Sequence, residues 1–283
     1  MKQEAKEKIS SSNQGGSRDK FPRPLRERVR ERGQKCAFTL AEVLITLGII
    51  GTVAAITMPV INQKIREMQT VNRLKQSYSI LSQAYERAVQ DYGTPDNWDL
   101  ANSEDKTSSD KLMEKFQPYL KTTKICKSSE TGCLKNVNYV GLDGKQNAGN
   151  LDSNNNSKAR LANGTIIMPW VWDANCSLTE GTSIQMKNVC GNIMVDVNGT
   201  KEPNQYGVDT FFIYITKYGL VPHGVAADTS GYSFKINCKD KSIGYVSGWS
   251  TNGMGCAGWV IYNGNMDYLH CNDLSWTGKK KCR

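Results

Sequence analysis

The spacing of hydrophobic positions changes along this chain, and each change marks a different element. From Val43 to Ile61, nineteen residues run without a charge. At 1.5 Å rise per residue such a helix spans roughly 28 Å, about the hydrocarbon thickness of a bilayer. One acidic residue, Glu42, stands at the mouth of the run, and Lys64 and Arg66 follow it. Beyond it Val71, Leu74, Tyr78, Leu81, Tyr85, Ala88 and Tyr92 recur at intervals of three and four. This is an apolar stripe on an otherwise polar helix. Gly93-Thr94-Pro95 then stops it. The spacing predicts one helix from Phe38 to Tyr92, interrupted or bent near Pro59 and roughly 80 Å long. The stripe covers only about three heptads, so it reads as a face packed on its own domain and not as a coiled coil.

Residues 96–160 are polar, with a short helix expected over Asp110–Leu120 and a low-complexity loop over Asn147–Lys158. From Ala162 onward the pattern turns to short β-rich runs. Candidate strands are Thr165–Trp172, Gly191–Val197, Thr210–Thr216 and Tyr232–Asn237, with Ala257–Tyr262 and Met266–His270 expected as a hairpin. Asn-Gly pairs at 163–164, 198–199, 252–253 and 263–264 favour the positive-φ conformations of tight turns. Short strands joined this way suggest an antiparallel sheet, hence an α+β chain with a long helix packed on a sheet-bearing head. No internal repeat is evident.

Charge sharpens this division. The formal net charge of +9 would suggest nucleic acid, but residues 1–37 hold eleven Lys/Arg against five Asp/Glu. Removing that +6 leaves +3 on the remaining 246 residues, which argues against a nucleic-acid partner. The basic excess sits on the flank expected on the cytoplasmic side of a span. The stretch from Ser10 to Gln34 has few large apolar residues and is expected to be disordered.

The segment around Glu42 carries a resemblance. Ala37, then Phe38-Thr39-Leu40-Ala41-Glu42, then an uncharged span with Pro59 late in it, resembles the N-terminus of a type IV pilin-like precursor. That family includes type IV pilins and type II secretion pseudopilins. The resemblance implies that a prepilin peptidase cuts between Ala37 and Phe38 and that Phe38 is then N-methylated. It implies that Glu42 pairs with the N-terminal amine of a neighbouring subunit, and that Pro59 kinks or locally melts the helix. Ala37 departs from the usual Gly before the cut, which implies slower cleavage or an adapted peptidase. The layout that follows is a leader over 1–37, a transmembrane and assembly helix over 38–61, its amphipathic continuation over 62–93, and a periplasmic or extracellular head over 94–283.

Cysteine usage agrees with an exported head. Nine cysteines become eight once Cys36 leaves with the leader, and an even set in an exported domain reads as a disulfide framework. Many pairings are open. The sequential one, Cys126–Cys133, Cys176–Cys190, Cys238–Cys256 and Cys271–Cys282, closes short loops and is the one expected. No pair has C-x-x-C spacing, which argues against a zinc ribbon.

Candidate chemistry is sparse. Asp196, Asn198, Thr200 and Asp209 put oxygens around a tight Asn-Gly turn, with Glu202 and Asn204 nearby. Hard cations such as calcium take such ligands. An EF-hand is excluded, because position 12 counted from Asp196 is Gly207. Two readings stand: a β-turn with side chains bonded to its own backbone, or a structural calcium loop. No other cofactor is expected. The two histidines, His223 and His270, lack any recognisable nucleophile motif, and no catalytic residue is expected. Trp170, Trp172, Trp249 and Trp259 lie in or beside candidate strands and read as core or binding surface.

The resemblance therefore implies a filament subunit and not an enzyme, anchored once in a bacterial inner membrane with a periplasmic head. Its implied partners are other pilin-like subunits, the prepilin peptidase and an inner-membrane assembly platform. The rival reading is a signal anchor carrying a periplasmic enzyme or ligand-binding domain. An ordinary secretory signal fits less well, since the run is too long and TMPVINQK offers no small-x-small site.

Overall fold

The computed structural model describes residues 39–102, 105–144, 147–152, 156–239, 245–246 and 249–282. Ala37, Phe38 and the expected leader lie outside them. The chain divides into two units, Met1–Val53 and Ala54–Arg283. The described part of the first is Thr39 and the opening of helix α1 (Leu40–Tyr92).

Helix α1 stays helical through Pro59, so of the two expected outcomes, interruption or a bend, the first does not occur. Proline removes one donor and crowds the preceding turn, yet a single such defect leaves the flanking hydrogen bonds in place. The apolar half is bare: Ile50 is 63% exposed and Ile56 74%. This helix is long and apolar enough to cross a membrane. The later half behaves oppositely. Val71, Leu74, Leu81, Tyr85 and Ala88 are buried, as the stripe predicts, and Ser77 and Ala84 join them. Tyr92 is 40% exposed, so the stripe fades one turn before the helix ends.

After α1 come α2 (Thr107–Phe116), β1 (Thr122–Cys126), β2 (Asn138–Val140), β3 (Asn147–Asn150) and β4 (Lys158–Leu161). They are followed by β5 (Ile166–Val171), β6 (Val189–Asp196), β7 (Thr210–Thr216) and β8 (Gly219–Pro222). Six strands form one sheet in the order β1-β4-β5-β6-β7-β8, every neighbour antiparallel. The hairpin β2–β3 stands apart, as does the two-residue pair β9 (Tyr245–Val246) and β10 (Trp249–Ser250). The fold is thus α+β, with an antiparallel sheet tied by disulfides.

One face of the sheet presents Ile167, Ile193, Val195, Phe211, Ile213 and Ile215 to a core shared with α1 and α2. The alternate positions Ile166, Met194 and Phe212 pack with Tyr139, Leu151 and Tyr206 on the opposite face. Every residue of β6 and β7 is therefore buried. Burial on both faces explains why these strands read as continuous apolar runs without alternation. Polar ties pin α1 to the sheet: Tyr85 Oη donates to the Thr216 carbonyl at 2.8 Å and Tyr78 Oη to the Leu220 carbonyl at 3.0 Å.

The C-terminal third corrects the sequence reading. Tyr232–Asn237 is not a strand; a short π-helical turn occupies Lys235–Lys239. Ala257–Tyr262 belongs to a third helix, α3 (Ala257–Asn263), and a 3₁₀ turn spans Asp267–Leu269, so the expected hairpin is absent. A short apolar run such as AGWVIYN fits a buried helix as well as a strand. Asn263-Gly264 closes α3: Gly264 sits at φ 67° and its N–H donates to the Val260 carbonyl at 3.1 Å. A helix C-cap uses the same positive φ as a hairpin turn. The low-complexity segment also proves partly regular, since it contains β3 and the start of β4. The second helix ends at Phe116, and a 3₁₀ turn over Gln117–Tyr119 takes its last residues.

Four disulfides join Cys126–Cys133, Cys176–Cys190, Cys238–Cys256 and Cys271–Cys282, the sequential pairing. Trp259 is fully buried and stacks on Phe234 at 4.3 Å, whereas Trp170 is 47% exposed.

Candidate functional site

Two clusters gather the residues singled out above, one at the start of α1 and one in the β6–β7 turn. At the first, Thr39 precedes the helix and its carbonyl accepts the Val43 N–H at 3.1 Å. Thr39 N–H and Thr39 Oγ1 both donate to Glu42 Oε2 at 2.9 Å, and Glu42 N–H donates back to Thr39 Oγ1 at 3.2 Å. This is a reciprocal capping box, which satisfies amide groups that a helix start leaves without partners. Glu42 is therefore exposed but oriented, its carboxylate folded onto the first turn. The Thr-x-x-Glu signature was legible in the sequence, yet there Thr39 passed only as a letter of the motif. Pro59 is exposed, within the bare half of α1.

At the second cluster the structure brings together Asp196, Asn198 and Asp209. Asp209 is buried and its carboxylate accepts from the N–H groups of Asn204 at 2.9 Å and Gln205 at 2.7 Å. It also accepts from Asn198 Nδ2 at 3.1 Å and from Thr210 Oγ1 at 3.3 Å. Asp196 is fully buried; Tyr139 Oη donates to its Oδ2 at 2.9 Å and Asn198 N–H to its Oδ1 at 3.2 Å. Burial raises the pKa of both carboxyls, and for Asp196 the neighbouring Asp209 charge adds to the rise. Thr200 lines a surface groove together with Glu202, Asn204 and Gln205 of the same turn and with Lys135 and Asn138.

Calcium needs several oxygens turned toward one point. Here the Asp209 oxygens meet N–H and O–H donors, and Asp196 is engaged by Tyr139. These bonds brace the turn, while the side-chain oxygens of Asn198 and Asn204 are buried with no hydrogen-bond partner among the described residues. Tyr139 is invisible as a partner in the sequence because β2 and the long β6–β7 connection meet only in three dimensions. The disulfide Cys126–Cys133 closes beside Glu130, and oxidised sulfurs leave that trio without thiolate ligands.

The histidines differ sharply. His223 is fully buried and stacks on Tyr214 at 3.6 Å between ring centroids, with Phe212, Trp172 and Tyr232 around it. Neither ring nitrogen has a hydrogen-bond partner among the described residues, and burial holds its pKa well below the ordinary histidine range. It is a neutral member of an aromatic stack. His270 is exposed, and its Nε2 lies 2.9 Å from Glu67 Oε1 on α1.

A family model described as a family of unknown function (DUF6613) matches residues 60–161. The matched stretch begins at the end of the apolar run and closes with β4, so it omits Glu42 and most of the sheet. No curated protein and no solved structure matches the chain.

Proposed function

We propose that this chain is a structural subunit of a type IV pilus-like filament, a type II secretion pseudopilin or a minor pilin. One observation carries the reading. A single 53-residue helix is bare where it is apolar and buried where it is amphipathic. Such a helix suits a subunit that first sits in a membrane and then packs laterally against copies or relatives of itself. The capped Glu42 at its start adds support, because a carboxylate beside an uncharged span is costly unless it has a use. The Phe-Thr-Leu-x-Glu register and the disulfide-tied head fit the same role.

In this reading a prepilin peptidase removes residues 1–37 and Phe38 becomes a methylated N-terminus. An assembly platform in the inner membrane then lifts the subunit out of the bilayer. Val43–Ile61 exchanges lipid contacts for contacts with neighbouring helices, and Glu42 sets register by pairing with a neighbour's terminal amine. In such a dry setting an unpaired charge would be expensive.

Intact-mass and N-terminal peptide analysis of the mature protein tests the proposal. A chain beginning at N-methylated Phe38 is expected. A retained leader, or a cut beyond Pro59, would overturn it in favour of a plain anchor or signal.

A further inference from the structure

A pocket of about 600 Å³ lies between two walls near the C-terminus. One wall is the short π-helical turn with Lys235 and Lys239 one turn apart. The other is the segment running through Tyr268, His270 and Asn272. Each wall is stapled: Cys238, beside Lys239, is bonded to Cys256, and Cys271, between His270 and Asn272, is bonded to Cys282. Among the described residues no carboxylate lines this pocket, and the one that touches its wall is Glu67, 2.9 Å from His270 Nε2. Among the described ion pairs neither lysine has a partner. The charge of Lys239 is felt by Asp273, but Asp273 is held by Lys279 at 2.7 Å. Asp267, a further acid among the described residues, accepts the Cys282 N–H at 2.6 Å. The result is a braced pocket with two ammonium groups, an amide and the edge of an imidazole whose Nε2 is on Glu67, which suits a phosphate oxyanion.

Its position narrows the source of that phosphate. His270 contacts Glu67 on α1, only six residues past Ile61, where the apolar run ends. Six residues of helix rise about 9 Å, and the polar layer of a bilayer is roughly 5–8 Å deep on each side. Lys64 and Arg66, both exposed, lie on the same short stretch. If Val43–Ile61 spans the bilayer, Glu67 and the pocket wall it touches stand at the outer edge of the lipid headgroup layer.

We propose that the pocket formed by Lys235, Lys239, His270 and Asn272 binds the phosphate of an anionic phospholipid headgroup. The proposal rests on the membrane-span reading of α1, not on processing at Phe38. Lipid held there would fix the height of the head above the bilayer before extraction, and release of the headgroup would accompany departure from the membrane.

The test uses the full chain in a neutral detergent. It is titrated calorimetrically with dihexanoyl-phosphatidylglycerol, dihexanoyl-phosphatidylcholine, inorganic phosphate and a single-stranded oligonucleotide. Saturable binding of the phosphatidylglycerol alone is expected. The double variant Lys235→Gln/Lys239→Gln should weaken it roughly tenfold or more, while a charge-matched control, Lys106→Gln/Lys187→Gln, should not. Asn272→Ala serves if the lysine variant fails to fold, and there also a clear weakening is expected. Equal binding of phosphatidylcholine, equal weakening by the control, or unchanged affinity in the pocket variants would overturn the proposal. Inorganic phosphate binding as tightly would make this a free-anion site, and tighter binding of the oligonucleotide a nucleic-acid surface; either result overturns it too. None of these outcomes bears on where the mature chain begins, so this proposal and the filament reading can fail separately.

Discussion

Thr39 and Glu42 cap one another at the start of α1, each supplying an acceptor for the other's backbone N–H at 3.2 and 2.9 Å. The carboxylate thus has a partner within its own chain before any neighbour arrives. Two roles, local cap and intermolecular charge, are superimposed on one side chain, and substitutions can separate them.

Glu42→Gln keeps the capping geometry, because glutamine serves equally at that position, but removes the charge. Glu42→Ala removes both. We expect both variants to be inserted and cleaved yet to fail at filament incorporation, measured by sheared-fibre yield or subunit cross-linking. Thr39→Val should cost the helix start about 1 kcal/mol and still assemble. Normal incorporation of Glu42→Gln would reduce Glu42 to a cap and sink the charge-pairing mechanism.

The two halves of α1 should answer differently to truncation. Leu81 is fully buried against the sheet, and Leu81→Ala is expected to destabilise the head by about 2–5 kcal/mol. Ile50 is bare, and Ile50→Ala should leave thermal unfolding of the head unchanged. Circular dichroism melts of both variants compare them directly. A similar loss from each would mean that the apolar half is buried in the subunit itself.

Asp209 holds the β6–β7 connection by accepting one buried and one half-buried backbone N–H group. Asp209→Ala leaves both without acceptors, at a cost of about 1–3 kcal/mol for each. Because protein donors already satisfy this carboxylate, chelation with EDTA or added calcium should leave the melting temperature of the wild-type chain where it was. A rise with calcium would show that the turn rearranges to take the ion.

His223 supplies a pH dependence whose sign is fixed. Burial holds its folded pKa well below the ordinary 6.5. The unfolded chain therefore takes up a proton that the folded chain refuses. The stability this residue contributes is complete above about pH 6.5 and is lost progressively as pH falls below it. His223→Phe preserves the aromatic stack and removes two unpartnered nitrogens. We expect it to match or exceed wild type by about 1 kcal/mol at pH 7, with the advantage growing toward pH 5. The buried carboxyls, common to both proteins, largely cancel in the difference. A constant difference across that range would place the proton elsewhere.

The helix and the central strands could be read from the chain because each obeys one strong rule. Nineteen uncharged residues, then a stripe at intervals of three and four, leave little choice for α1. Thr210–Thr216 is bounded identically in sequence and structure, and Val189–Asp196 overlaps its expected span closely. The misreadings arose where one local signal serves two structures. Asn-Gly closes a hairpin between β4 and β5 but caps a helix at 263–264, and only the packing of Trp259 and Val260 decides between them. The acidic turn was half legible: its oxygens were visible, but not the amides of Asn204 and Gln205 that consume them. The lysine pocket has no sequence signature, since its two walls lie some thirty residues apart and meet only in the fold.

The order of the main sheet has a further consequence, which concerns its two margins. Edge β1 is five residues long, carries Lys124 and breaks its register between Thr122 and Lys124. Edge β8 is four residues long and ends in Pro222. Short, charged, irregular or proline-ended margins are what prevent strands of separate molecules from zipping together. The six-stranded sheet is thus closed to templated growth from either side. A head built in this way stays discrete however densely it is crowded, and polymerisation, where it occurs, has to be arranged through other surfaces.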